Sequence, residues 1–129
     1  MELKIYAQFN KDLRNIWTEF EQNTILTPFQ SFAWLSHWQT TVGDPLFSIQ
    51  PQIVHIQKDG QTLAIIPMGI RKRFGIKILE WLGGTNTDYM GPITIKGWDQ
   101  IFDNKLLWNS IFNKLRPFDV IHFQKQLNK

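Results

Sequence analysis

The chain has 129 residues, with 14 basic and 11 acidic side chains, a net charge of +3 and 43% hydrophobic residues. This length predicts a single domain over residues 1–129, and the apolar content excludes a disordered chain. The absence of cysteine excludes disulfides and thiolate sites, and the lack of a signal peptide or a long apolar run predicts a cytoplasmic protein without a membrane span.

The N-terminal third of the sequence predicts a strand followed by two amphipathic helices. Apolar and polar residues alternate from Leu3 towards Asn10, which is typical of a half-buried strand. Asn10 is a candidate cap for the first helix, and apolar residues then follow with helical spacing at Leu13, Ile16, Trp17 and Phe20. Ser31 is a candidate cap for the second helix, which Gly43 is expected to end.

The middle of the sequence predicts an antiparallel meander. A short extended piece is expected at 46–49, before strands at 52–57, 62–70 and 76–82. Asp59-Gly60 between two apolar runs is a strong signal for a tight hairpin. The basic residues Arg71, Lys72 and Arg73 are expected at the solvated tip of the next hairpin. Because the net charge is modest, this cluster does not indicate nucleic-acid binding.

The C-terminal third predicts a short strand, a long helix and a last strand. Ile93–Ile95 alternates as a short strand does, and a helix is expected between Trp98 and Leu115, closed by Arg116-Pro117. A strand from Phe118 to Gln124 follows. The predicted order is therefore β-α-α-β-β-β-loop-α-β, an α/β (α+β) fold around a mixed, mostly antiparallel sheet.

The stretch from Gly83 to Pro92 predicts a functional loop, because glycines and polar side chains interrupt strongly apolar sequence. Asp88 and Tyr89 form an acid-aromatic pair that could bind a polar substrate or supply a general acid or base. The alternative is that Asp88 closes an ordinary turn by accepting backbone N–H bonds, with Tyr89 packed beside it.

Catalytic motifs of several enzyme classes are missing from the sequence. His37, His55 and His122 lie apart from one another, so metal binding is not expected and a structural role is favoured for each. There is no Gly-x-Ser-x-Gly elbow and no phosphate loop of the GxxxxGK type. These absences argue against serine hydrolases and P-loop NTPases.

Three segments together resemble the opening third of CelD-like acetyltransferases, a family of the GNAT superfamily. The segments are Pro28–Trp38, Ala64–Arg71 and Leu82–Gly84 with Asp88–Pro92. The chain is also similar in architecture to Fem-type aminoacyltransferases, in which two GNAT-like halves lie in tandem. The predicted element order, with two helices after the first strand, resembles one GNAT-like half over nearly the whole chain.

The resemblance implies an acyltransferase that uses acetyl-CoA or another acyl-CoA. In GNAT enzymes a Gln/Arg-x-x-Gly-x-Gly/Ala loop at the start of a helix holds the cofactor pyrophosphate. The nearest segment here, Gln57–Thr62, ends in threonine and lies in a predicted hairpin. We therefore expect no cofactor site in this chain, which would be the first half of a tandem protein and inactive alone.

The leading hypothesis is that the chain forms the acceptor-substrate lobe of such an acyltransferase and binds a polar small molecule or a glycan. The residues expected at its acceptor groove are Trp34, Trp38, Gly84, Asp88 and Tyr89. Its expected partner is a second GNAT-like half or another copy of the chain. The alternative is a stand-alone, non-catalytic module with a degenerate GNAT fold that binds a small molecule, a glycan or a protein.

Overall fold

A computed structural model of the chain describes residues 1–24, 30–83, 91–95, 97 and 105–123. The strands are β1 (Glu2–Tyr6), β2 (Gln50–Lys58), β3 (Gln61–Arg73), β4 (Ile76–Trp81), β5 (Ile93–Thr94) and β6 (Val120–His122). The helical elements are α1 (Lys11–Glu21), α2 (Phe32–Trp38), a π-helical turn (Gln39–Gly43), α3 (Asp44–Phe47) and α4 (Lys105–Lys114). Within these ranges, no helix has both the length and the apolar character that crossing a membrane requires.

The strands form one mixed sheet in the order β1-β2-β3-β4-β6. Neighbours from β1 to β4 are antiparallel, β5 pairs with β3, and β6 runs parallel to β4. The prediction of an α/β fold with a mostly antiparallel, mixed sheet is confirmed. The predicted order is extended by α3, which the sequence patterns did not indicate.

Both predicted hairpins are confirmed. The turn between β2 and β3 has positive φ at Asp59 (52°) and Gly60 (80°), and the turn between β3 and β4 has positive φ at Phe74 (53°) and Gly75 (79°). Positive φ at both central residues is the type I′ geometry that suits the twist of two-residue hairpins. The basic cluster at 71–73 therefore lies at the end of β3, with Lys72 exposed.

The two ends of the glycine loop lie opposite Pro67, in the middle of β3. β4 pairs with β3 up to Met68, and β5 resumes the pairing at Ile65. Leu82 N donates to Pro67 O at 3.0 Å, but proline has no N–H with which to complete this pair. Pro67 thus marks the place where the chain leaves the sheet after Leu82.

Helices cover both faces of the sheet. Under α1 and α2 lies a core cluster that takes side chains from β1, β2, β3 and β5, including Tyr6, Leu13, Trp17, Leu35, Ile53, Ile65 and Ile93. Against α4 lies a second cluster that includes Val54, Ile66, Met68, Leu79, Trp81 and Ile111. Because β3 is buried on both faces, its sequence is continuously apolar from Leu63 to Ile66 rather than alternating.

The predicted caps of α1 and α2 are confirmed. Asn10 Oδ1 accepts a hydrogen bond from Leu13 N at 2.9 Å, and Ser31 Oγ accepts one from Trp34 N at 3.1 Å. The sequence also predicts that Phe32 and Leu35 are buried, and the structure places both in the core beneath α2.

The prediction that Gly43 ends the second helix is wrong. The chain continues through the π-helical turn into α3, and Gly43 has a helical φ of −59°. Glycine is needed there for space, since a Cβ would lie 2.9 Å from the Trp38 ring and against Gln39 Oε1. The helical run ends instead at Ser48, with φ of 51°, so the extended piece predicted at 46–49 is also wrong.

The structure describes the predicted C-terminal helix and strand in part. α4 is described from Lys105 to Lys114, and the first part of the predicted helix, at 98–104, lies outside the described residues. The helix ends before Arg116-Pro117, as predicted. β6 covers Val120–His122 of the strand predicted at 118–124.

Candidate functional site

A polar cavity of about 540 Å³ lies at the edge of the sheet where β1 ends. We call it the strand-end cavity. Its walls are the chain after β1, the α2–α3 segment, the start of β2 and Arg116, two residues after the end of α4. The lining residues are Ala7, Gln8, Phe9, Ser36, Gln39, Thr40, Asp44, Ile49, Gln50, Pro51, Gln52 and Arg116.

The cavity forms because β2 extends beyond β1. The pairing of the two strands stops at Tyr6 and Ile53, so the first residues of β2 have no partner in β1. Pro51 has no N–H to leave unpaired at this edge, and its carbonyl accepts a hydrogen bond from Gln52 Nε2 at 2.8 Å. The open edge is thereby closed to further strand pairing and becomes one wall of the cavity.

Two glutamines of β2 hold Arg116 at the mouth of the cavity. Arg116 N donates to Gln52 Oε1 at 3.2 Å, and Arg116 Nη1 donates to Gln50 Oε1 at 3.0 Å. Gln52 is 2% exposed, so the position of the chain after α4 is set by a buried amide. The exposed guanidinium of Arg116 keeps further N–H donors for other groups.

The π-helical turn supplies the opposite wall. Gln39 Nε2 donates to Ile49 O at 2.7 Å, while Gln39 Oε1 is buried and accepts no hydrogen bond from the described residues. Single π-turns occur frequently at functional sites, because they change the direction of side chains within a helix. Here the turn directs Gln39 and Thr40 towards the cavity lining, beside Ser36.

A second, open cavity of about 750 Å³ lies beside the first, and we call it the helix cavity. It is lined by Phe9, Asn10, Lys11, Arg14, Asn15, Thr18, Phe32 and Ser36. The two cavities share Phe9 and Ser36, so together they form one groove along α1 and α2, the α1–α2 groove. Its charged lining residues are Lys11, Arg14, Arg116 and Asp44.

The described ends of the glycine loop lie on the same face of the sheet as this groove. Leu82 and Ile93, on either side of the loop, both belong to the core cluster beneath α1 and α2. Gln30 Nε2 contacts Gly91 O at 3.5 Å, and Gln30 O accepts a hydrogen bond from Trp17 Nε1 at 3.1 Å. Gln30 thus links Gly91, at the C-terminal end of the glycine loop, to Trp17 of α1.

Two of the sequence-predicted site residues, Trp34 and Trp38, belong to the described residues, and neither lines the two cavities. Trp34 is 37% exposed and lies on α2 outside the lining of both cavities, whereas Trp38 is 5% exposed and packs in the core. Gly84, Asp88 and Tyr89 lie outside the described residues. Their assignment to an acceptor site stays a prediction.

An ion pair on the sheet beside α3 is a second cluster of polar groups. Arg71 Nη2 donates to Glu80 Oε2 at 3.3 Å, and the Phe47 ring lies 5.3 Å from the guanidinium carbon. Burial raises the pKa of Glu80, although the positive charge of Arg71 and the nearby His122 act in the opposite direction. A carboxyl group with a raised pKa is suited to acid–base chemistry, but structural ion pairs show such shifts as well.

His55 has the structural environment that the sequence favoured. Its Nε2 lies 2.8 Å from Thr62 Oγ1, and its ring is tilted against Tyr6. Burial lowers the pKa of His55, and the charge of Lys4 lowers it further. Among the described residues there is no group of three or more potential metal ligands.

Comparison with family models, curated proteins and solved structures finds no match to this chain. The site is therefore interpreted from its own geometry. The groove offers amides, hydroxyls, cations and a half-buried aromatic ring, which can bind and orient a polar ligand. Sequence reasoning missed it because its glutamines are widely spaced along the chain; the local signal was Gln50-Pro51-Gln52, where amides flank a proline at the start of an apolar strand.

Proposed function

We propose that this chain is the acceptor-binding lobe of a GNAT-superfamily acyltransferase and has no acyl-CoA site of its own. The observation that carries the proposal is the α1–α2 groove, a polar groove on the face of the sheet where the glycine loop leaves and returns. In this proposal Asp88 and Tyr89, with the backbone of Gly84, complete the acceptor site.

The arrangement of the elements supports the proposal. Two helices follow β1 and cover one face of an antiparallel β1–β4 meander, and α4 connects β4 to the parallel strand β6 on the other face. This order agrees with the GNAT-like half that the sequence resemblance implies. Trp34 is 37% exposed, whereas Trp38 is buried and packs against Gly43 in the π-helical turn.

The acyl donor would be bound by a second GNAT-like half of a longer protein. The segment closest to the cofactor loop, Gln57–Thr62, forms the hairpin between β2 and β3, so no helix begins there. It therefore cannot present a helix N-terminus to a pyrophosphate. We also propose that the protein is cytoplasmic, that its acceptor is a polar small molecule or a glycan, and that it has no nucleic-acid partner.

The test is a calorimetric titration of the 129-residue chain with acetyl-CoA. We expect no binding tighter than about 1 mM, because no segment of the sequence has the pattern of a phosphate-cradling loop. A dissociation constant in the micromolar range would contradict the proposal. Reading the coding sequence beyond Lys129 adds an independent check, since a second GNAT-like half with a cofactor loop is expected there.

A stand-alone binding module is the second candidate. It is favoured by one observation, namely that the groove already combines cationic, hydrogen-bonding and aromatic side chains, which are the groups a polar ligand requires. A groove of this kind could bind its ligand without a second domain. A coding sequence that stops at Lys129, together with ligand binding by the chain alone, would favour this candidate over the acyltransferase lobe.

A further inference from the structure

The helix cavity is a cationic part of the α1–α2 groove. Lys11 and Arg14 are three residues apart on α1 and therefore lie on the same side of the helix. Both are exposed, neither forms an ion pair with another described residue, and the described lining of this cavity contains no carboxylate. A concave surface with two unpaired cations attracts an anion.

The strand-end cavity has a different chemistry, with amides and hydroxyls in most of its polar wall. Its amide side chains come from four glutamines and its hydroxyls from a serine and a threonine: Gln8, Gln39, Gln50, Gln52, Ser36 and Thr40. Gln52 is hydrogen-bonded at both ends of its amide, and Gln39 Nε2 and Gln50 Oε1 are engaged as well. The amide of Gln8, the Nε2 group of Gln50 and the hydroxyl oxygens of Ser36 and Thr40 are therefore the groups of this wall that can bond a ligand. Such a wall suits a ligand with several hydroxyl groups, which also donate and accept. At about 540 Å³ the cavity is in the size range of small-molecule sites.

Phe9 lies between these two parts of the groove and contributes to both. Its ring is stacked on Trp17 at a centroid distance of 6.0 Å and meets the edge of Phe32 at 5.5 Å. These contacts with buried side chains hold the half-buried ring in place. The ring therefore offers a fixed apolar surface between an anion site and a hydroxyl site.

We infer that the α1–α2 groove binds a sugar that carries one phosphate or carboxylate group. The anion lies at Lys11 and Arg14, the C–H face of the ring lies against Phe9, and the hydroxyls face the amides of the strand-end cavity. The inference rests on the proposed function only in naming this sugar as the acceptor. Binding itself requires nothing beyond the groove.

The first experiment is calorimetry of the chain with glucose 6-phosphate and with glucuronate, compared with glucose and with inorganic phosphate. We expect at least one anionic sugar to bind about tenfold or more tightly than either glucose or phosphate. Binding of the phosphorylated sugar alone assigns the anion site to phosphate, and binding of both assigns it to anions in general. If glucose or inorganic phosphate binds as tightly as the anionic sugars, the inference is overturned.

Variants then locate the site. The double variant Lys11→Gln/Arg14→Gln should weaken binding of the anionic sugar about tenfold or more. The matched control is Lys58→Gln/Lys72→Gln, which removes the same charge from exposed positions at the two hairpins, outside the groove. This control should bind like the wild type. An equal loss in both double variants would show a general effect of net charge and would overturn the inference.

The outcomes separate this inference from the proposed function. Micromolar binding of acetyl-CoA would contradict the acceptor-lobe proposal but would leave the groove and its sugar unaffected. Conversely, failure of both anionic sugars, without any acetyl-CoA binding, would overturn the sugar inference alone. The acceptor lobe would then require another class of acceptor.

Discussion

The substitution Gly43→Ala tests the geometry of the π-helical turn that forms one wall of the groove. Gly43 has a helical φ of −59°, so alanine is compatible with the backbone. Its Cβ would nevertheless lie 2.9 Å from a ring carbon of Trp38 and against Gln39 Oε1. Trp38 is 5% exposed and Gln39 is 8% exposed, so neither side chain can move into solvent without loss of packing.

The magnitude follows from opposing effects. Replacing glycine by alanine within a helical segment normally stabilises a protein by about 0.5–1 kcal/mol. Forcing an extra methyl group into a packed site costs about 1–3 kcal/mol. If Gln39 moves, its 2.7 Å hydrogen bond to Ile49 O is also lost, and a buried unpaired group costs about 1–3 kcal/mol. We therefore expect a net destabilisation of about 1–3 kcal/mol.

Urea unfolding followed by tryptophan fluorescence measures this change. With a slope of about 1–3 kcal/mol per molar urea, the midpoint should fall by about 1 M. The control is the same substitution in a Gln39→Ala background, where the contact with Oε1 no longer exists. There Gly43→Ala should cost about 1 kcal/mol less. Unchanged or increased stability of the single variant would refute the reasoning, because the gain in helix propensity would then equal or exceed the steric cost of the added methyl group.

Two further predictions concern the core. Leu35→Ala should lower the free energy of unfolding by about 2–5 kcal/mol, because Leu35 is 1% exposed; a change within experimental error in urea unfolding would contradict its placement. Burial lowers the pKa of His55 in the folded chain, so the unfolded chain binds more protons at this residue once the pH falls below the ordinary histidine pKa of 6.5. The free energy of unfolding should therefore decrease as the pH falls below this value. Between about pH 7.5 and pH 5.5, His55→Gln should lose less stability than the wild type. An unchanged slope in His55→Gln would show that another group causes the loss.

The raised pKa of Glu80 has the opposite effect on how the free energy of unfolding depends on pH. The folded chain binds more protons at this carboxyl than the unfolded chain does, so its stabilising effect is present below the ordinary pKa of 4.5 and is lost as the pH rises through the folded-state value. The comparison of His55→Gln with the wild type separates the two groups, because the contribution of Glu80 is common to both proteins.

Local chemistry made several features of the fold predictable from the sequence. The caps at Asn10 and Ser31 depend on hydrogen bonds within one helical turn, and the hairpin at Asp59-Gly60 depends on two residues that adopt positive φ. Each of these features needs only a few neighbouring residues. The same holds for the burial of Phe32 and Leu35, which follows from helical spacing.

Features that depend on distant contacts were not predictable in this way. Gly43 looked like a helix stop, but it is required by the Trp38 ring and by Gln39, and the helix continues. The parallel pairing of β4 with β6 joins residues about forty positions apart, such as Ile78 and Val120. The groove combines residues from the chain after β1, from α1, from the α2–α3 segment, from β2 and from the chain after α4, so no single stretch of sequence carries its pattern.

The most direct test of an acceptor groove on this chain is nuclear magnetic resonance of the nitrogen-15-labelled protein during titration with glucose 6-phosphate. We predict that backbone amide shifts change mainly at 8–11 and at 39–40, in the two parts of the α1–α2 groove. Shifts confined to the basic hairpin at 71–73, or no saturable shifts at millimolar sugar, would contradict the assignment of the groove as the acceptor site.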